Sequence, residues 1–106
     1  MTDKLLVLTT AGSEAEAGRI AQALVERRVA ACVNLIPRIQ SVYRWNEKVE
    51  KSEEFLLLIK TTRLHEQEVR ETVRQMHSYK LPELIAISID SGSQEYLKWV
   101  DESVGG

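Results

Sequence analysis

The spacing of apolar side chains along the 106-residue chain switches several times between a strand-like and a helix-like period. Residues 5–10 form a short apolar run that ends in threonines, which is typical of a buried strand. Next, apolar residues recur at i, i+3, i+4 and i+7, a spacing that predicts a helix over residues 13–28. Ser13 and Glu16 at its start predict a capping box, in which each side chain satisfies a backbone N–H group.

Two long strands are predicted after this helix. Alternating apolar residues indicate the first of them over residues 30–45, and Pro37 marks an edge or a bulge because it has no N–H for the ladder. Residues 49–62 predict the other, whose unbroken apolar run at 55–59 indicates burial on both faces. Residues 46–48 then form a tight connection, and the pair becomes a hairpin.

The rest of the chain completes a regular alternation of elements. Helical spacing returns over residues 63–77, a fourth strand is predicted over 84–90, and residues 91–93 offer an N-cap to a short terminal helix. The order is βαββαβα. It predicts one α+β domain over residues 1–106, a ferredoxin-like βαββαβ sandwich with its helices on one face, an extended hairpin and a short C-terminal helix.

The predicted hairpin indicates an oligomer, because its strands are longer than a small domain normally uses. Residues 40–54 should extend past the sheet and carry apolar side chains that a small domain can hardly cover. A closed cyclic homo-oligomer would cover them, with each arm on a neighbour. The alternative is a twisted hairpin folded back on its own domain. The apolar side chains in question are Val42, Tyr43, Trp45 and Val49.

Composition and charge exclude several classes of function. A hydrophobic fraction of 43% is typical of a globular protein, and a net charge of -2 lacks the basic excess that nucleic-acid binding requires. The third strand also lacks the glycine and exposed aromatics of an RNA-recognition motif. No apolar run is long enough for a membrane helix, and the single cysteine without a signal-peptide pattern predicts a cytoplasmic location.

Candidate chemistry in the residues themselves is sparse. The familiar catalytic signatures are absent, so no enzyme is expected, and Cys32 in an apolar strand is interpreted as a structural thiol. His77 ends the second predicted helix, where it is either a metal ligand or a charge partner of the helix C terminus. His65 lies about 18 Å away along the same helix, so the two histidines cannot bind one ion together.

Three polar residues near strand ends form a second candidate site. Lys60 ends an apolar strand, and Glu83 follows a proline at the start of the next. Together with Tyr79 they predict a polar pocket, whereas a strand-end ion pair exposed to water is the simpler alternative.

Six segments, taken in order, resemble the CutA divalent-cation tolerance proteins over nearly the whole chain. The resemblance implies a trimeric ferredoxin-like protein, similar in architecture to the PII signalling proteins and linked in bacteria to tolerance of copper and other divalent metals. It implies no known catalytic activity. The segments are Ala30-Ala31-Cys32-Val33-Asn34, Ile36-Pro37, Ser41-Val42-Tyr43-x-Trp45, Leu58-Ile59-Lys60-Thr61-Thr62, His77-x-Tyr79-x-x-Pro82-Glu83 and Tyr96-Leu97-x-Trp99.

The same resemblance implies a metal site, but this chain has only one of the three proposed ligands. Members with a proposed copper site have a cysteine at the end of the first strand and two adjacent histidines, where this chain has Thr9, Met76 and His77, and Ser78 replaces a proline. With only His77 kept, no tightly bound cofactor is expected. The prediction is weak binding of copper or another divalent cation by His77, with Glu83 or carboxylates across a subunit boundary.

Two functions therefore remain open. The first is a non-enzymatic homotrimer that takes part in divalent-metal homeostasis. The second is a PII-like sensor or adaptor, in which an intersubunit cleft near Trp45, Lys60, Tyr79 and Glu83 binds a small ligand or presents a docking loop to a partner protein.

Overall fold

The elements of the computed structural model, which describes residues 2–105, follow the predicted order. The sheet has the strand order β2-β3-β1-β4 with antiparallel neighbours, which confirms the ferredoxin-like prediction. A 3-10 turn precedes the second helix. The elements are β1 (Lys4–Ala11), α1 (Glu14–Glu26), β2 (Cys32–Trp45), β3 (Lys48–Thr62), the turn (Arg63–His65), α2 (Glu66–Met76), β4 (Ile85–Ser88) and α3 (Gln94–Ser103).

The hydrophobic core lies between one face of the sheet and the helices α1 and α2. Because side chains alternate along a strand, every second residue of β1 and β3 faces the helices. The apolar stripes predicted for both helices meet them there, and all of these side chains are almost completely buried. They are Leu5, Val7, Leu57 and Ile59 from the strands and Ile20, Leu24, Val69 and Val73 from the helices.

The third helix, α3, lies against the opposite face. The Nζ atom of Lys60 is 5.9 Å from the centre of the Tyr96 ring, and Lys4 pairs with Asp101 at 3.5 Å. Both lysines alternate with core-facing residues, so they mark the other side of the sheet. The prediction of helices on one face therefore holds for α1 and α2 but not for α3.

Much of this second face is left uncovered by α3, and we call it the open face. It is apolar, and its side chains are half-buried or exposed within a single chain, with Ile85 at 51% and Ile87 at 47% exposure. The predicted burial of residues 55–59 on both faces is thus only partial in one protomer. The open face comprises Leu6, Leu8, Leu56, Leu58, Ile85 and Ile87.

The hairpin projects beyond the sheet as predicted. β1 pairs with β3 only as far as Phe55, so residues 39–54 pair only with one another among the described residues. We call this segment the arm. A bulge at Pro37 and Arg38 separates the arm from the sheet, and Arg38 has a left-handed φ of 58°. The arm lengthens the molecule, which measures 44 × 25 × 22 Å.

Side-chain caps determine where two of the helices begin. The Oγ atom of Ser13 accepts the N–H of Glu16 at 3.2 Å, and Ser93 caps α3 in the same way. The carboxylate of Glu16 does not complete the predicted capping box, because it is bonded elsewhere. No helix in the described part of the chain is both long and apolar enough to cross a membrane.

Candidate functional site

His77 fixes the end of α2 against the end of β1. Its side chain is fully buried, Nε2 donates to the backbone oxygen of Thr10 at 2.6 Å, and Nδ1 accepts the N–H of Tyr79 at 3.0 Å. These partners assign the neutral tautomer that carries its proton on Nε2. A metal ion at His77 would therefore have to displace one of these two hydrogen bonds.

Glu16 of α1 anchors the next residue of the same segment. Its carboxylate accepts the backbone N–H of Ser78 at 2.7 Å and the Ser78 hydroxyl at 2.8 Å. Burial disfavours the charged carboxylate, but the two hydrogen bonds from Ser78, together with the nearby charge of Arg19, outweigh it and lower the pKa of Glu16. Glu16 therefore stays ionised and holds this segment against the start of α1.

Tyr79 connects the segment to the base of the arm. Its hydroxyl donates to the carboxylate of Glu54 at 2.8 Å, and Glu54 is only 6% exposed. Burial and the hydrogen bond to Glu54 raise the pKa of Tyr79 to about 12, so the phenol keeps its proton at neutral pH. Gly12 permits the approach, because a Cβ atom there would lie 3.0 Å from the Tyr79 oxygen.

A groove of about 740 Å³ opens between the arm and residues 79–83. Strand alternation places Tyr43, Trp45 and Glu54 on one face of the arm, and all three line the groove. Tyr79 and Glu83 line it as well. The structure therefore brings together three of the four predicted ligand-binding residues, namely Trp45, Tyr79 and Glu83.

The fourth predicted residue, Lys60, lies elsewhere. Its Nζ atom donates to Oδ1 of Asn34 at 2.6 Å and is 4.0 Å from Sγ of Cys32. Lys60 is separated from Glu54 by about 20 Å along β3, at the usual rise per residue. The hypothetical pairing of Lys60 with Glu83 is therefore replaced by a cross-strand contact with Asn34.

The positions suggested for a metal do not converge. Within residues 2–105, no three His, Cys, Asp or Glu side chains form a group that could hold an ion. Thr9 is fully buried and its hydroxyl has no partner among the described residues, whereas Met76 packs against the core. His65 bonds to the Thr62 hydroxyl at 2.8 Å. Weak metal binding at His77 thus stays a prediction.

Sequence reasoning missed the two buried carboxylates. Glu54 ends a run of charged residues that is typical of a solvated strand, and only its position directly before an apolar run hints that it is buried. Glu16 fits the capping-box pattern, so the sequence predicts a local role for its carboxylate and gives no sign of the long-range bonds to Ser78. Both partners lie in the irregular segment after α2, whose path the residue pattern does not determine.

Comparison with known proteins gives consistent results. Residues 5–103 match the family described as CutA1 divalent ion tolerance protein. The divalent-cation tolerance protein CutA of Thermus thermophilus is 46% identical over 100 residues, which are 94% of this chain and 97% of that protein. The likeness therefore extends over nearly the full length of both chains.

Solved structures with the same fold are similar over the same length of chain. CutA from Xylella fastidiosa superposes with a TM-score of 0.96 at 36% identity, covering 98% of this chain and all of that chain (100%). A protein from Archaeoglobus fulgidus, described as a periplasmic divalent cation tolerance protein CutA, gives a TM-score of 0.93 at 43% identity and covers 96% of this chain and 99% of that one.

Proposed function

Because the chain belongs to the CutA1 divalent ion tolerance protein family, we propose that it takes part in the tolerance of divalent cations, copper among them. The observation that carries this proposal is the match over residues 5–103, supported by a relative that bears the same function in its name and aligns over 97% of its length. The proposed role is non-enzymatic.

A growth assay tests this role. We expect a bacterial strain that lacks its own relative to grow poorly in copper medium and to recover when this chain is expressed. A matched culture with sodium salt at the same ionic strength controls for osmotic effects. Equal growth with and without the chain at every copper concentration would contradict the proposal.

The proposed working form is a homotrimer. The apolar open face and the arm support it, because a single chain leaves both largely uncovered and monomers rarely expose apolar patches of this kind. Light scattering at micromolar concentration should give three times the protomer mass of 12.1 kDa. A stable mass of 12.1 kDa would rule this assembly out.

Any metal binding at His77 is proposed to be weak, since an ion has to displace one of the two hydrogen bonds that the ring makes to the backbone. Calorimetric titration with copper should show a low-affinity heat that the His77→Ala variant loses. His65→Ala, which removes the other histidine, is the matched control and should keep the heat. Equal loss in both variants would exclude a specific role for His77.

A second candidate function is PII-like binding of a small ligand. The groove favours it, because Trp45, Tyr79 and Glu83 line one concave surface of a size that small molecules commonly occupy. Lys60 is not part of that surface. This function is the alternative to metal tolerance, and titration of the groove with a small organic cation tests it.

The cytoplasmic location stays a prediction from the single cysteine. A structural relative is named as periplasmic, so the compartment has to be measured. Fractionation of cells that express the tagged chain should place it with cytoplasmic markers, and release by osmotic shock would place it in the periplasm.

A further inference from the structure

Glu54 carries a negative charge that the described part of the chain leaves without a cation. The side chain is 6% exposed and accepts one hydrogen bond, from Tyr79, and none of the ion pairs within residues 2–105 involves it. An ionised carboxylate offers about four acceptor positions, and a buried charge is costly unless a partner compensates it. The remaining oxygen of Glu54 is therefore suited to a positively charged N–H donor.

The surroundings of Glu54 favour the same kind of partner. Within one chain, Tyr43 and Trp45 line the groove with 43% and 48% of their surfaces exposed, and Tyr79 provides a third ring. The faces of such rings attract cations. Glu83 adds a second negative charge, and Lys80 is the one cationic side chain among the described lining residues.

We propose that the groove binds a small organic cation with N–H donors, a protonated amine or a guanidinium, which donates to Glu54 and packs against Tyr43 and Trp45. The two carboxylates in the groove provide too few ligands for the chain to hold a metal ion there by itself. The buried negative charge of Glu54 repels an anion. This inference rests on the groove as a ligand site and not on the metal-tolerance role, so the two proposals fail separately.

Titration with n-butylguanidinium tests the proposed ligand class. The chain has two tryptophans, so a Trp99→Phe background leaves Trp45 as the only indole and its fluorescence reports on the groove. We expect saturable quenching, confirmed by calorimetry. Neutral n-butylurea should not bind, and tetramethylammonium, which has no N–H donor, should bind about tenfold more weakly or worse.

Substitutions locate the site. Glu54→Gln removes the charge but keeps an acceptor for Tyr79, and it should weaken n-butylguanidinium binding about tenfold or more. Glu53→Gln is the matched control, because its exposed carboxylate lies on the other face of the arm, and it should leave the affinity unchanged. If Glu54→Gln does not fold, Trp45→Leu measured by calorimetry should show a comparable loss.

Four results would overturn the proposal. They are the absence of saturable binding, equal binding of n-butylurea, unchanged affinity in a folded Glu54→Gln protein, and equal weakening by Glu53→Gln. A cationic side chain from a second copy could also occupy the groove. In that case n-butylguanidinium would not bind and Glu54→Gln would dissociate the oligomer, which rejects the small-ligand proposal while leaving the copper growth assay unaffected.

Discussion

Glu16 and Glu54 are each only 6% exposed, and each holds a different residue of one segment. Glu16 accepts hydrogen bonds from Ser78, and Glu54 accepts one from Tyr79. Through these bonds the start of α1 and the base of the arm fix the path of the chain after α2. Two carboxylates from distant parts of the sequence thus anchor the segment that forms one side of the groove.

Replacing Glu16 should change how stability depends on pH. Since the pKa of Glu16 is lowered in the folded state, its stabilisation is complete above the ordinary value of 4.5 and is lost as the pH falls through the lower folded-state pKa. Glu16→Gln should reduce the free energy of unfolding by about 2 kcal/mol at neutral pH, because it weakens charged hydrogen bonds to Ser78.

Urea unfolding over a series of pH values measures this effect. Below pH 4.5 the stability of the wild type should approach that of Glu16→Gln, so the two curves converge. Glu14→Gln, which removes an exposed carboxylate from the same helical turn, should follow the wild type. Coincident curves for wild type and Glu16→Gln at every pH would show that the bonds to Ser78 do not stabilise the fold.

Two glycines should respond in opposite ways to the same change. Gly12→Ala places a methyl group 3.0 Å from the Tyr79 oxygen and should destabilise the protein by about 1 kcal/mol, because the ring must move away from Glu54. Gly18→Ala meets no atom within 4 Å and lies inside α1, so it should stabilise by about 1 kcal/mol through helix propensity. Thermal unfolding of both variants checks the contrast, and a shift in the same direction would refute it.

At the scale of elements, local signals account for what the sequence predicted correctly. Ser13 and Ser93 cap the helices they were expected to cap, and Pro37 lies at a bulge. These features depend on neighbouring residues alone. The position of α3 on the opposite face depends instead on partners such as Lys60, which lies far from Tyr96 in sequence. The spacing of apolar residues along the chain does not reveal such long-range contacts.

Among the residues that line the groove, local patterns again predict some positions, and long-range contacts determine the others. Aromatic residues at alternate positions of the arm were predictable as neighbours, because strand geometry places Tyr43 and Trp45 on one face. The contribution of Glu54 was not predictable, since it depends on the segment after α2 folding back over Gly12. Lys60 does not line the groove of the single chain, because its position on β3 places it beside Asn34, so its place in an intersubunit cleft stays a prediction.

The turn at the tip of the arm is built without glycine. Asn46 and Glu47 both adopt positive φ, 50° and 64°, which is the geometry of a two-residue type I′ turn. Glycine adopts this conformation without a steric penalty, so Glu47→Gly should raise the free energy of unfolding by about 0.5–1 kcal/mol. Glu50→Gly, within the adjacent strand, should lower it. Chemical unfolding distinguishes them, and a loss of stability in Glu47→Gly would contradict the turn assignment.

At the scale of the whole molecule, the open face is the surface through which the proposed trimer is expected to assemble. Ile87 lies on it with 47% exposure, and burying such a side chain contributes about 1.5–3 kcal/mol. Ile87→Lys should therefore dissociate the proposed trimer. Light scattering of this variant should give the mass of one protomer, and its circular dichroism spectrum should match that of the wild type. Leu64→Lys is the control, because Leu64 is 83% exposed but lies outside the open face. An intact trimer in Ile87→Lys would exclude this face as the interface.

The central place of β1 in the sheet has a consequence for the order of folding. Lys4 pairs with Thr62 of β3, and Leu5 pairs with Ser88 of β4. Because β1 is synthesised before β3 and β4, its pairing in the sheet has to wait until both of these strands are available. Contacts this distant in sequence require long loops to close before they contribute, and they slow folding relative to a helical protein of equal size. We expect the rate-limiting step to be the docking of β1 between β3 and β4, with the arm hairpin already formed.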